Sequence, residues 1–273
     1  MITRRLILAA PAVLVACARP AAAQSITWNG VPTQGGLLRG QAPPGTRMAL
    51  DGRAVRVAPS GAFAMGFGRD HDESATLAVT HPDGRREERR LSVAKREWDI
   101  QRITGLPGGM VSPDEAALRR ITRERAELAA ARALDTAGTG FMADMAWPAS
   151  GRISGIFGSQ RILNGQPRQP HYGLDVAAPT GTPINAALPG RVTLSGDFFF
   201  FGQILVVDHG QGVNTLYAHL SERIAREGQV VERGERIALM GATGRVTGPH
   251  LHFSLSWYQT FLDPQPLLPP QQG

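Results

Sequence analysis

The feature that most constrains this chain is its punctuation by turn residues. Among 273 residues there are 32 glycines and 20 prolines, and over most of the length they cut the apolar segments into short runs. Such spacing leaves room for strands joined by tight turns and little room for a helical bundle. Met48-Ala-Leu50, the Asp51-Gly52 turn and Ala54-Val-Arg-Val57 read as a hairpin. Pro59-Ser-Gly61 followed by Ala62 to Phe67 repeats the pattern, and Leu77-Ala-Val79, Pro82-Asp-Gly84 and Arg90 to Val93 repeat it again. Residues 24–97 are therefore expected to form a small β-sandwich. His71 and His81 fall in its polar loops and read as surface histidines.

Residues 98–146 interrupt this texture. Ser112-Pro113-Asp-Glu115 reads as a capping serine, a first-turn proline and a glutamate closing a capping box. Leu118, Ile121, Leu128 and Ala131 then recur at helical spacing toward Leu134, with Arg119, Arg120, Arg123, Glu124 and Glu127 on the other face. One connecting helix, packed as a spacer on a neighbouring domain, is expected before the Gly138-Thr-Gly140 linker. From 147 to 268 short strands return, at Arg191–Ser195, Gln203–Val207, Val213–Tyr217, Arg236–Met240 and Leu251–Leu255. The fold class is thus mainly β, closing on an antiparallel domain, with 269–273 as a tail.

The N-terminus is read as a targeting segment. Arg4 and Arg5 precede an apolar run from Leu6 to Ala16 that is too short to span a bilayer, and Ala21-Ala-Ala23 resembles a cleavage site. Residues 1–23 are expected to be a signal peptide of an exported protein of the periplasm or cell envelope. A lipid anchor at Cys17 is the alternative. Cys17 is the only cysteine, so the remainder has no disulfide and no thiolate to offer a metal. Three of the charges behind the formal +6 lie in 1–23, which leaves +3. No basic stripe with interleaved aromatics appears, so nucleic acid is not an expected partner.

Five of the seven histidines fall after residue 147. His171 and Asp175 are four apart, His250 and His252 two apart, and so are Tyr217 and His219. In extended strands an even separation puts side chains on one face. Three segments can therefore aim polar groups at one surface, as a metal site requires. Two imidazoles and a carboxylate leave an open position on zinc, and the same donors also suit iron. His209, at a strand end without a partner at even spacing, reads as a turn residue outside the site. The chain has no His-Glu-x-x-His segment, so a helix-borne zinc site is excluded.

His171-Tyr-Gly-Leu-Asp175, Leu216-Tyr-Ala-His219-Leu and Gly244-Arg-Val-Thr-Gly-Pro-His-Leu-His252 together resemble the signature of the lysostaphin/LytM-type zinc endopeptidases, over about residues 147–268. The resemblance implies one Zn2+ held by His171, Asp175 and His252, with His219 and His250 as catalytic histidines. It implies an antiparallel β fold with a groove, and hydrolysis of peptidoglycan stem-peptide cross-links, here read as D-alanyl–diaminopimelate. Family members often carry a tyrosine upstream of the first ligand; Arg161 to Pro170 has none, and Arg161, Asn164 and Tyr217 are the substrate-binding candidates. The aromatic run Phe198–Phe201 reads as core packing or as a groove wall. The alternative is a catalytically silent module that activates a cell-wall amidase, with the sandwich as the surface for a protein partner.

Overall fold

The computed structural model describes residues 25–105 and 108–271. The leader at 1–23, with Cys17 and the Ala23 cleavage site, lies outside the described residues. Among those described, no helix is long and apolar enough to cross a membrane.

The first half forms two small antiparallel sheets. One orders Thr27–Asn29, Leu37–Gln41 and Ala62–Gly66; the other orders Arg53–Val55, Arg47–Leu50, Ser74–Thr80 and Arg86–Ser92. Asp51 and Gly52 both take positive φ (47° and 81°), the requirement of the tight hairpin turn expected there. Leu38, Phe63 and Met65 from one sheet meet Leu50, Leu77 and Val79 from the other, which is the sandwich core.

The second half is built on a ten-stranded antiparallel sheet. Gly190–Phe198, Gly202–Asp208, Val213–Arg223, His250–Trp257, Leu174–Ala177 and Arg152–Gly155 run side by side in that order, with Arg236–Met240 pairing beside Val213–Arg223. One face shares an uninterrupted apolar core with the sandwich. Gly66 packs at the Leu262 and Trp257 side chains, and Arg96 pairs with the buried Asp263 carboxylate at 2.8 Å.

The helix Glu115–Arg132 covers part of the other face. Its cap is Asp114, whose carboxylate accepts from the Ala117 amide at 2.8 Å; the expected serine cap at 112 lies two residues too early. A carboxylate placed three residues ahead of an unpaired amide satisfies it directly. Leu128 and Ala131 pack on Phe198, Ile204, Val206, Leu216 and Ala218. The polar side is engaged as well. Glu124 accepts from the Phe199 amide at 2.9 Å, and Arg120 donates to the Asp197 carbonyl at 2.9 Å. The expected spacer is thus a brace fastened to the hairpin at 190–208.

Among the elements that were not anticipated, one bears on the site. Ile100–Ile103, inside the span expected to be a helical linker, pairs in parallel with Gln160–Leu163. It extends the hairpin formed with Gln166–Pro167, which flanks the site.

Candidate metal centre

His171 lies ahead of the strand Leu174–Ala177, across a bend at Gly173, so strand parity does not govern this pair. His171 Nε2 nevertheless lies 3.0 Å from Asp175 Oδ1. Antiparallel register sets Asp175 opposite His252, whose Nδ1 lies 2.8 Å from the same Oδ1 and 3.0 Å from His171 Nε2. Two glycines make room. A Cβ at Gly155 would meet Asp175 Oδ2 at 2.6 Å, and one at Gly173 would meet His252 Cε1 at 2.6 Å. The register also shifts between Asp175 and Val176, a bulge of the kind that re-aims a side chain beside a site.

The chemistry of these donors fits a cation. His171 Nδ1 donates to the Ile156 carbonyl at 3.0 Å, which orients the ring with Nε2 toward the cluster. Burial pushes the Asp175 carboxyl up, but the His171 and His252 imidazoles outweigh it and hold the group well below the usual range. Burial brings His252 down to about 4 against the opposing pull of Asp175. A cation held among these three atoms would take the place of the proton that the imidazoles share with the carboxylate when no metal is bound. Arg161 Nη2 binds the other oxygen, Oδ2, at 3.0 Å, so Asp175 presents Oδ1 alone. His171, Asp175 and His252 are the convergent cluster of potential ligands among the described residues. Two imidazoles with one carboxylate suit zinc and leave a position open.

His219 and His250 stand beside this cluster. Their rings lie 4.7 Å apart between centroids, and His250 Nε2 is 3.9 Å from Asp175 Oδ1. His219 Nδ1 donates to the Thr243 carbonyl at 2.8 Å and His250 Nδ1 to that of Gly248 at 2.9 Å. In the neutral tautomer that these bonds select, each ring carries its lone pair on Nε2. Burial, then the neighbouring His250 and His252, bring His219 down to about 3.

Even spacing misplaced one residue. Tyr217 is fully buried in the core shared with the sandwich, its hydroxyl accepting from the Ala187 amide at 2.8 Å. His219 two residues on takes φ of +63°, a left-handed conformation that costs a side-chain-bearing residue energy and clusters at functional sites. That residue breaks the alternation, so His219 joins the groove while Tyr217 stays on the opposite side. Asn164, with φ of +47°, sits exposed at the tip of the 160–167 hairpin. Arg161 lines the groove, and its guanidinium bridges Asp175 and the Gln101 side chain. His209 is buried outside the cluster, its ring nitrogens paired to the Pro189 carbonyl and Thr215 Oγ1, both at 2.8 Å.

The cluster opens into a cavity of about 420 Å³. Phe198, Phe200 and Phe201 form one wall, Phe198 belonging to the buried core as well, and Ile121 and Leu128 of the helix form a roof. Tyr172, stacked on Phe261 at 4.5 Å, lines it too, as do Arg168 and Arg245. These last three were not singled out from the sequence; Tyr172 stands inside the quoted motif, immediately after a ligand.

The profile of peptidase family M23 matches residues 169–264, a span containing all five residues above. A crystal structure from Pseudomonas aeruginosa assigned to peptidase M23 is 33% identical, with a TM-score of 0.68, over 86% of this chain and 94% of that one. The chain belongs to peptidase family M23. Within the M23 segment it is also similar to the peptidoglycan DD-endopeptidase ShyA of Vibrio cholerae, at 44% identity over 105 residues, 38% of this chain and 24% of that protein. The DD-carboxypeptidase/endopeptidase Mpg of Neisseria meningitidis is 44% identical over 99 residues, 36% of this chain and 22% of that protein. The chain thus matches about a quarter or less of the length of these curated relatives. The residues upstream of the M23 segment are nonetheless part of its site, since Arg161 and the helix both line the cavity.

Proposed function

We propose that this chain is a zinc-dependent endopeptidase that hydrolyses peptide cross-links of peptidoglycan, at the D-alanyl–diaminopimelate bond, in the cell envelope. The observation that carries the reading is the pairing of a three-donor cluster with two histidines whose rings stand beside it, each tied at Nδ1 to a backbone carbonyl. His171, Asp175 and His252 would hold one Zn2+. Bound there, zinc supplies Lewis acidity to a carbonyl and makes water a stronger acid, with a pKa near roughly 7. His219 and His250 handle the protons. A neutral ring with a free Nε2 takes a proton from water, and the imidazolium so formed returns it to the departing amine or donates to the developing oxyanion. The Thr243 and Gly248 carbonyls hold both rings in the tautomer this requires. Arg161 keeps the Asp175 carboxylate oriented, and the three phenylalanines with the helix roof exclude water from the groove. Names of the curated relatives support the choice of peptidoglycan. A silent activating module would have no use for two poised histidines beside an intact donor set.

The test is to incubate zinc-loaded protein with diaminopimelate-containing muropeptide dimers and follow the products by mass spectrometry. Conversion to monomers with a new D-alanine carboxyl terminus is expected. Intact dimers, with stimulation of an added amidase, would replace this reading by the activator one.

A further inference from the structure

The helix meets the cavity along a single stripe. Leu118, Ile121, Arg125, Leu128 and Arg132 all line it, and spacings of three and four residues put them on one face. The last of them is a cation that the fold has taken out of water. Arg132 is only 7% exposed, and its guanidinium lies 4.6 Å from the centre of the Phe261 ring. Phe261 is in turn stacked on Tyr172, and both of these rings line the cavity as well.

Among the described residues no acceptor answers this charge. Burial alone lowers Arg132 to about 10, and its guanidinium makes no ion pair and no hydrogen bond there. The Glu124 carboxylate, on the same helix, is held by Arg120 and by the Phe199 amide. An aromatic face steadies a cation, and so does the C-terminal end of a helix. Neither feature satisfies the five N–H donors of a guanidinium. A buried charge is costly unless it is paired, and the planar fork matches a carboxylate in particular.

Strand register places this cation relative to the metal cluster. Phe261 pairs with Ser256, which stands four positions beyond the ligand His252 on the strand His250–Trp257. Four residues of strand advance by about 13 Å and return to the same face. Arg132 therefore serves the end of the groove, not the reacting centre.

We propose that Arg132 binds a substrate carboxylate at this remote end of the groove, and that the group it takes is the α-carboxylate of the stem-peptide D-glutamate. This rests on the endopeptidase reading above, and deepens it. In a stem that continues through diaminopimelate to D-alanine, glutamate is joined by its side-chain carboxyl and keeps its α-carboxylate free. From the scissile carbonyl carbon back to the carbon bearing that carboxylate is nine bonds, the length of three residues, or about 10–11 Å when extended. The carboxylate and the guanidinium span the remainder. The helix thus grips the acyl half of the substrate and sets its scissile carbonyl over the donor cluster.

The experiment compares two muropeptide dimers that differ only at the D-glutamyl α-carboxyl of the acyl-donating stem, free in one and amidated in the other. Each is given to the zinc-loaded wild-type chain and to its Arg132→Gln and Arg132→Lys variants. The wild type is expected to cleave the free acid with kcat/KM roughly 10- to 100-fold above the amide, as loss of one charge-assisted pair implies. Arg132→Gln should erase most of that preference, mainly through KM on the free acid. Arg132→Lys, which keeps the charge without the fork, should restore part of it. A folding defect lowers both rates together, so the ratio is the quantity read. Equal cleavage of both dimers by the wild type, or an unchanged ratio in Arg132→Gln, overturns the subsite while leaving the endopeptidase reading intact. Cleavage of neither dimer overturns that reading and the subsite with it.

Discussion

The sandwich and the site sheet use polar residues in opposite ways. In Arg86–Ser92 none of the five consecutive charged side chains is buried, and only Leu91 is. In His250–Trp257 every residue after His250 is buried, and these include His252, Ser254 and Ser256. Val213–Arg223 buries Asn214, Thr215 and His219 in the same manner. The difference follows from what covers each sheet. The outer faces of the sandwich meet water, whereas the site sheet has the shared core on one side and, on the other, the helix roof. Polar groups enclosed on both sides must find partners. His209, Thr215 and Tyr217 find one another, with Thr215 Oγ1 3.2 Å from the Tyr217 hydroxyl. His171, Asp175 and His252 converge on a point that invites an ion. Burial of polarity separates the working half from the supporting one.

The largest effect should come from splitting the site sheet's own histidines. His252→Ala is expected to lose its zinc and all measurable turnover. His219→Ala should keep one zinc per chain, read by metal analysis, while kcat falls roughly 10²–10⁴-fold. Metal loss in both variants would contradict the division of roles. Next in size is Phe63→Ala, which empties a fully buried site in the sandwich. It should cost about 3–5 kcal/mol. Because the two halves share one core, denaturant unfolding should remain a single transition, with kcat of the folded fraction unchanged. Two separated transitions, only one of them shifted, would show the halves to be independent. The smallest effect concerns His209, which burial brings down to about 4. The unfolded chain takes up that proton near pH 6.5 and the folded chain only near 4. Stability from this residue is therefore complete above pH 6.5 and lost as the pH falls toward 4, by about 3 kcal/mol. Measured in urea on metal-free protein, the advantage of the wild type over His209→Gln should shrink by that amount between pH 7 and 4. A constant difference would refute the assignment.

Much of this was legible in the residues, for identifiable reasons. Turn chemistry is local, so Asp51-Gly52 announced its hairpin. The strands of the second half also appeared where apolar runs lay between glycines, because alternation and turns are read over a few positions. The donor set His171, Asp175 and His252 was legible from motifs, although His171 reaches it from outside a strand. What escaped depends on distant partners or on single backbone dihedrals. Nothing local shows that His219 is left-handed, so parity wrongly joined it to Tyr217. The apolar stripe Ile121, Leu128 and Ala131 reveals a buried face but not that it roofs a groove. Ile100–Ile103 has no strand signature of its own; it is a strand because Gln160–Leu163 offers an edge. Arg161 looked like a loop residue until that pairing fixed its reach to Asp175.

The same parallel pair limits how far the two halves can be treated as interchangeable parts. Chain synthesis delivers Ile100–Ile103 before the segment it supports exists, so it must wait, unpaired, for the hairpin some sixty positions later. A peptidase half cut free at residue 147 would carry Arg161 on an exposed strand edge, without Gln101 to steady it. Recombination that exchanged the upstream half for another would thus inherit the donor cluster with its outer scaffold missing. Exchanging the upstream half alone would leave Arg161 without the strand that steadies it.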